Sequence, residues 1–522
     1  MVKWMCRAVV TLFCMGALGA CSSRDAEVVE VPVDMSPGAP IEDQGDWVPE
    51  PLAACKLRPE ASTTAACGSL ESFDLSGCDV ESLRGLTAGG PFNMRYYGQN
   101  VATDDQDQFF GVNSFTPSPN RDEHPLYWRT TRTNRTGKVF IDVEVGCSAR
   151  GADQVTGCYV SCSLGEPAQQ YTFEGERIRW LSGDQESSGG LRLVGEGGLQ
   201  SGRGVDVFVA KGHAYVVSID DYFMGPGGLH VYDLQDRKAP RLVKFIQFPE
   251  ESYWNGVWAK DDALYVASAD RGVLVFDITQ PADPRFLRDL SGGSRSNVHT
   301  LFVDGSRLYA MAVGPAGEVH AYDVNNAREP VLLGRYLDPS IGTEPGSYPH
   351  DATTLNSTLF ISHWRAGLVI VDMSDPASPK RLGAYKYPRA SSHTSRVAYF
   401  HNNRIAFEAG EDWGAHLRVL NLNDPANPTL IGEYRLPGWA SIHNLELKGN
   451  RLYIAHYQHG VRVLDVSIPK SPRELAYFNT WRATDPLRGT SSWDGAIGIR
   501  VPGDGYVYTV DSVRGLLILP EL

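Results

Sequence analysis

Short runs of alternating apolar and polar residues, each closed by Gly, Asn, Asp or Pro, recur along the last two-thirds of the chain and predict strands joined by tight turns. In one unit Leu445-Glu446-Leu447 runs into Gly449-Asn450, a two-residue hairpin signal, and returns through Leu452-Tyr453-Ile454. A third strand, Val461-Arg462-Val463-Leu464-Asp465, follows Gly460. A fourth spans residues 473–478 beyond Pro472, where proline is tolerated because it lies outside the ladder. Four antiparallel strands per unit are expected.

The third strand is the clearest marker of repetition. Gly367-Leu368-Val369-Ile370-Val371-Asp372 is followed by Met373-Ser374-Asp375-Pro376-Ala377-Ser378-Pro379. Equivalent strands end at Asp233, Asp277, Asp323, Asn421 and Asp465, and in all six copies a Pro follows seven residues later. Successive markers lie 44, 46, 49, 49 and 44 residues apart, the length of a four-stranded propeller blade and too long for shorter solenoid units. A side chain repeated in this way serves the blade, the Asp capping the turn after the third strand and the Pro stiffening the approach to the fourth. Tyr215, Tyr265, Tyr309 and Tyr453 share one repeat position and read as core.

Units start near Val205, Asn255, Val298, Pro349, His393, Ile442 and Trp493, and the seventh stops without its fourth strand. Residues 191–196 match the fourth strand of other units, such as residues 330–335, and lie just before the first complete unit. The expected fold class is therefore all-β: a seven-bladed β-propeller over residues 191–522, closed by an N-terminal strand. Closure removes the sheet edges that would otherwise invite aggregation.

The Gly-x-x-Val-x-Asp run and its Asp-Pro-x-x-Pro tail resemble the LVIVD repeats of bacterial and archaeal surface and exported proteins. The resemblance covers about residues 191 to 522 and implies a propeller outside the cytoplasm, without implying one activity. The unit beginning at His393 departs from the pattern. It has Asn421 for Asp, Ala415 where Gly is usual, and a longer segment between its second and third strands. That loop is expected to be specialised.

Composition agrees with many strands and turns: 53 Gly, 32 Pro and 23 Tyr in 522 residues. A net charge of -14 argues against a nucleic-acid partner, which needs a surplus of Lys and Arg on one face. No stretch after the N-terminus reaches the roughly 18 consecutive apolar residues of a spanning helix. At the N-terminus, Lys3 and Arg7 precede an apolar run from Ala8 to Leu18, the length of a signal-peptide core. The run ends in Leu18-Gly19-Ala20-Cys21, which resembles the bacterial lipobox, so residues 1–20 are expected to be removed as a lipoprotein signal peptide and Cys21 to be lipidated with acyl chains such as palmitate. Several acyl chains anchor stably where one is marginal. Ser22 resembles the outer-membrane sorting pattern of enteric bacteria, so the expected location is the cell envelope, at the outer membrane. Residues 21–54, rich in Asp, Glu, Pro and Gly, read as a flexible tether.

Residues 55–190 hold Cys55, Cys67, Cys78, Cys147, Cys158 and Cys162, an even number in one region of an exported chain. A small disulfide-bearing β-rich module is expected, with three bridges among fifteen connectivities. Zinc is the competing reading, disfavoured because no Cys-x-x-Cys pair is present. The acidic patch Asp104-Asp105-Gln106-Asp107 lacks the Gly and terminal Glu of a calcium loop and reads as a solvated turn.

Serine-hydrolase elbows, His-Glu-x-x-His, phosphate loops and dinucleotide fingerprints are missing. Two functions remain. One is an envelope-anchored binding or interaction scaffold, taking a protein or small-molecule ligand on the propeller face. The other is a metal-dependent enzyme with a histidine-rich site at the channel mouth. Hairpin register carries the second: a turn at Gly449-Asn450 places His443 opposite His456, and a turn at Asn356-Ser357 places His350 opposite His363. Directly opposed residues have Cβ atoms about 4.5–5.5 Å apart. His299 holds the same position one blade earlier, and Asn255 one blade before that. His393, Arg396, Glu408, Asp494 and Asp511 fall near equivalent channel-mouth positions. Neutral imidazoles are common ligands, so a transition metal is the candidate cofactor, with His299, His350 and His443 as first ligands, His363 or His456 joining them, and Glu408 as base or ligand. The plain alternative is a polar ring packed between blades and bonded to backbone.

Overall fold

The computed structural model describes residues 36, 38–47, 53–61, 68–86, 90–98, 108–114, 121–124, 127–133, 137–163, 168–292, 295–341, 346–489, 491 and 493–522. The signal peptide, Cys21, Cys67 and the acidic patch at residues 104–107 lie outside them.

Among the described residues, seven four-stranded antiparallel sheets follow one another, their innermost strands beginning at residue 203. Their innermost strands are Arg203–Ala210, Trp254–Lys260, Asn297–Asp304, Asp351–Leu355, Ser392–Phe400, Asn444–Lys448 and Ala496–Arg500, for blades one to seven. Each packs on the next, and the last packs on the first, so the ring closes. Because each blade is covered on both faces by its neighbours, its third strand is buried on both faces rather than alternating, and in blade four it is apolar up to its final Asp. Leu368, Val369, Ile370 and Val371 are all fully buried.

The repeated acidic side chains act locally. Oδ1 of Asp233, Asp277, Asp323, Asp372, Asn421 and Asp465 each accepts the backbone N–H two residues on, at 2.7–3.0 Å. The repeat tyrosines are core and reach across to the following blade: Tyr215 donates to Pro281 O and Tyr265 to Ala327 O.

Blade seven takes its fourth strand from the N-terminal side, as expected, but the strand is Gly195–Gly197, paired with Leu516, Leu517 and Ile518. Leu193 lies outside the ladder and joins Leu191 in packing against Ile499, Leu517 and Leu519. The apolar residues of this stretch are thus a plug, and the small Gly195 forms the ladder because a Cβ there would meet Arg237 O at 2.0 Å.

Residues of the cysteine region form a seven-stranded antiparallel sheet, in spatial order Gln108–Ser114, Pro91–Gly98, Gln169–Arg177, Gln154–Cys162, Val139–Arg150, Tyr127–Thr133, Arg121–His124. Cys55–Cys158 and Cys78–Cys147 are disulfides, and Cys162 is disulfide-bonded as well. This module does not stand apart. Arg95 donates to Trp413 O, Trp439 N donates to Glu176, and Trp180 donates to Trp481 O, so it is bonded to blades five and six.

The expected tether also departs from expectation. Residues 41–47 lie against blade five: Ile41 N bonds Leu430 O, and Asp43 and Asp46 pair with Arg418, whose side chain is wholly buried. Ion pairing in a dry site overrides the polar composition that suggested a free linker.

Candidate functional site

Each innermost strand begins with one residue that drops out of the ladder toward the channel. A bulge does this at Val205, Asn255, His299, His393 and Ile497, while His350 and His443 precede the first ladder pair. Val205 and Ile497 belong to the apolar cluster joining blades seven, one and two. The other five form a polar arc. Asn255 Nδ2 lies 3.1 Å from His299 Nε2. The rings of His299, His350, His393 and His443 then follow in file, with centroids 4.2, 4.1 and 4.3 Å apart.

Burial makes these imidazoles hard to protonate. It holds His299 down at about 4, His443 at about 3, and His350 and His393 well below the usual range, where neighbouring imidazoles add to the effect. His443 Nδ1 bonds Ile497 O at 2.7 Å. Among the described residues, neither ring nitrogen of buried His393, nor Nδ1 of His350, makes a hydrogen bond of good geometry, the nearest polar group for each ring being the backbone of the next histidine. Buried polar atoms are ordinarily paired, so these three have capacity left over.

A carboxylate that sequence reasoning missed faces the file. Glu411 Oε2 lies 3.9 Å from His350 Nε2 and 3.6 Å from His393 Nε2, and its Oε1 lies 3.8 Å from His443 Nε2. Burial pushes its carboxyl up to about 8, against the hydroxyl donated by Tyr457. Tyr253, Tyr348 and Tyr457 surround it, their phenols pushed up by burial and by its charge. Trp364 stacks on His350 at 5.1 Å and Tyr457 meets His443 edge-on at 5.2 Å. Both aromatic residues have left-handed backbones, φ +42° and +37°, a strained conformation for a bulky residue. Paired backbone bonds to Ser392 and Ala496 of the next blade hold them there.

On another side of the imidazoles lies a cavity of about 110 Å³. Asp206, Asp351, Arg396, Glu446 and Arg500 line it and form a charge chain, with Arg500 2.7 Å from Glu446 and Arg396 3.5 Å from the same carboxylate.

Among the sequence candidates, His299, His350, His393, His443 and Asn255 come together and Arg396 lines the cavity. His363 and His456 do not join them. The registers are those expected, but each lies one step beyond the last ladder pair and is committed to a turn, with His363 N bonded to Gly367 O and His456 N to Gly460 O. Ring contact runs from His456 to His459 instead. Glu408 faces between sheets, accepting from Tyr387 and lying 3.8 Å from Arg418; burial pushes it up to about 7. Asp494 pairs with Arg203 and Asp511 with Arg488, without contact to the imidazoles. The available signal for Glu411 was its place on the long, atypical loop after Asn403–Gly410.

A ring of four-stranded sheets with a lined channel defines the class, a β-propeller. Residues 253–289, 359–386 and 441–480, within three of the blades, match the LVIVD repeat. No curated protein matches the chain. Among solved structures, the computationally designed Ika8 protein aligns at 13% identity and TM-score 0.42, covering 64% of this chain and 100% of that one. The WD40 β-propeller domain of Doa1 aligns at 13% identity and TM-score 0.46, covering 64% and 98%. These likenesses concern fold alone.

Proposed function

We propose that this protein is a lipid-anchored binding propeller of the cell envelope that holds a transition-metal ion through His350, His393, His443 and Glu411. One observation carries the reading: three imidazole nitrogens converge on one carboxylate at 3.6–3.9 Å, too long for hydrogen bonds. Two donors each about 2.1 Å from an ion in tetrahedral geometry lie about 3.4 Å apart, and the ligand atoms of His350, His393 and Glu411 lie within 4.8 Å of one another, so small shifts would close these three around one ion and a larger one would bring in His443. Neutral nitrogen donors with a single carboxylate suit zinc, iron, copper or nickel. His299 and Asn255 would flank the ion. Cys21 supplies the anchor, at the outer membrane by the resemblance of Ser22 to sorting patterns, and the acidic net charge speaks against nucleic acid as a partner.

Protein purified from its native envelope should carry one metal ion per chain, and His350→Ala with His393→Ala should abolish its retention while the circular-dichroism strand signal persists. Metal-free native protein would overturn the reading. Cys21→Ser should release the protein from membranes; continued lipid labelling would remove the anchor. The neighbouring cavity favours a second reading, an ion with an open position that acts on a small polar molecule. Azide should then shift the visible spectrum of the Co²⁺-loaded protein, whereas an unchanged spectrum would make the site closed.

A further inference from the structure

Glu411 sits one residue beyond the strand Asn403–Gly410 and faces three histidines at 3.6–3.9 Å. Its N–H is shared between the Ser391 carbonyl oxygen and the buried Ser391 hydroxyl, each at 3.1 Å, and the hydroxyl alone also takes the N–H of Asp412. Ser391 Oγ accepts from Glu411 N and from Asp412 N, each at 3.1 Å, and donates to Asp46 Oδ2, also at 3.1 Å. A serine hydroxyl has one proton and two lone pairs, and here all three are used. An ionised carboxylate only accepts, so Asp46 obliges the hydroxyl to spend its proton there and leaves both lone pairs for the loop. Asp46 is wholly buried, and Arg418 at 2.8 Å and His416 at 3.3 Å help hold it below the usual carboxylate range.

The hydroxyl fits too tightly for substitution nearby. A Cβ on Gly410 would come within 2.6 Å of Ser391 Oγ and 2.9 Å of Asp46 Oδ2. Gly45, with φ +79°, turns the chain so that Asp46 enters, and a Cβ there would meet Pro388 O at 2.7 Å.

We infer that Asp46 and Ser391 are positioning residues for the channel site: the N-terminal segment places Glu411, and the metal site is complete only while that segment is docked. The inference rests on the metal reading proposed above. Asp46 lies 25 residues after Cys21, so the stretch that follows the anchoring cysteine also orients the site's carboxylate. Replacing Asp46 with Asn lets the amide oxygen serve Arg418 but turns an N–H₂ toward Ser391, which then loses its obligatory acceptor.

The test uses the purified full-length chain titrated with Co²⁺, read by its visible spectrum. Asp46→Asn and Ser391→Ala should each weaken Co²⁺ binding about tenfold or more, the scale of losing an outer-shell partner. Asp43→Asn is the control for docking alone, because Asp43 bonds Arg418 and Tyr385 and does not touch Ser391. It should lower the melting temperature yet leave Co²⁺ affinity within about twofold of the unaltered chain. In a Glu411→Gln background, Asp46→Asn should cost no further affinity, which a general loss of structure would not produce. If Asp46→Asn fails to fold, Ser391→Ala carries the test. An unaltered chain that binds no Co²⁺ would overturn the metal reading itself. An unaltered chain that binds Co²⁺, with Asp46→Asn and Ser391→Ala within twofold of it or no better coupled to Glu411 than Asp43→Asn, would leave that reading standing and overturn this one.

Discussion

Blades four and five are adjacent, have the same four-stranded order, and use their third strands differently. In blade four that strand is Leu-Val-Ile-Val-Asp, apolar and buried to its last residue. In blade five it is Leu-Arg-Val-Leu-Asn, and Arg418 is as completely buried as Val369 at the matching position. The guanidinium lies 3.5 Å over the Tyr387 ring and is met by Asp43 and Asp46 from outside the repeat. Blade six repeats the device, with Arg462 at the same position paired to Asp184. A buried cation in a repeat position otherwise apolar or aromatic thus marks where a non-repeat segment docks. Departures from the repeat carry the information that the repeat itself lacks.

The largest test of this contrast is at the matched pair. Arg418→Met should destabilise by about 3–5 kcal/mol, because two buried carboxylates lose their partner, and it should expose residues 41–47 to proteolysis. Val369→Ala should cost about 1–3 kcal/mol by leaving a cavity, without freeing any segment. Denaturant midpoints of the two variants check the order; equal losses would mean the docked segment adds nothing.

Opposed pH responses sharpen it further. Glu408 of blade five is pushed up to about 7, so between about pH 4.5 and 7 the native state binds the proton that the unfolded state has lost, and stability falls as pH rises through that window. Glu408→Gln should lessen the fall in melting temperature between pH 5 and 7, leaving the part due to Glu411, which burial pushes up to about 8. Asp46 is held low, so its contribution is present above about pH 4 and lost on acidification below that. Asp46→Asn should therefore reduce the acid-side loss, measured from pH 5 to 2.

The smallest effects concern what the blades share. Asn421→Ala and Asp372→Ala should each cost about 1 kcal/mol, the value of one turn-capping bond, and Asn421→Asp about nothing, because either side chain offers the same Oδ1. A large loss for Asn421→Asp would mean that the amide N–H₂ matters in blade five.

Local chemistry settled much in advance. The third strand, its capped turn and the following proline are all neighbours in sequence, and the hairpin turns fix which residues of the first two strands stand opposite. From these the blade, its repetition and the alignment of His299, His350 and His443 were readable, with His393 placed only near the same level. Register, however, says which residues are level and not which side chains converge. His363 and His456 are level with their partners and turn away, because the chains part where the ladder ends. Glu408 and Glu411 are three residues apart, and only the path of the loop between strands decides that the second meets the imidazoles and the first meets Arg418. The contact from Asp46 to Ser391 spans 345 residues with no repeat to announce it. Short-range patterns are written in one dimension, whereas a carboxylate is aimed by buried bonds between segments that only folding brings together.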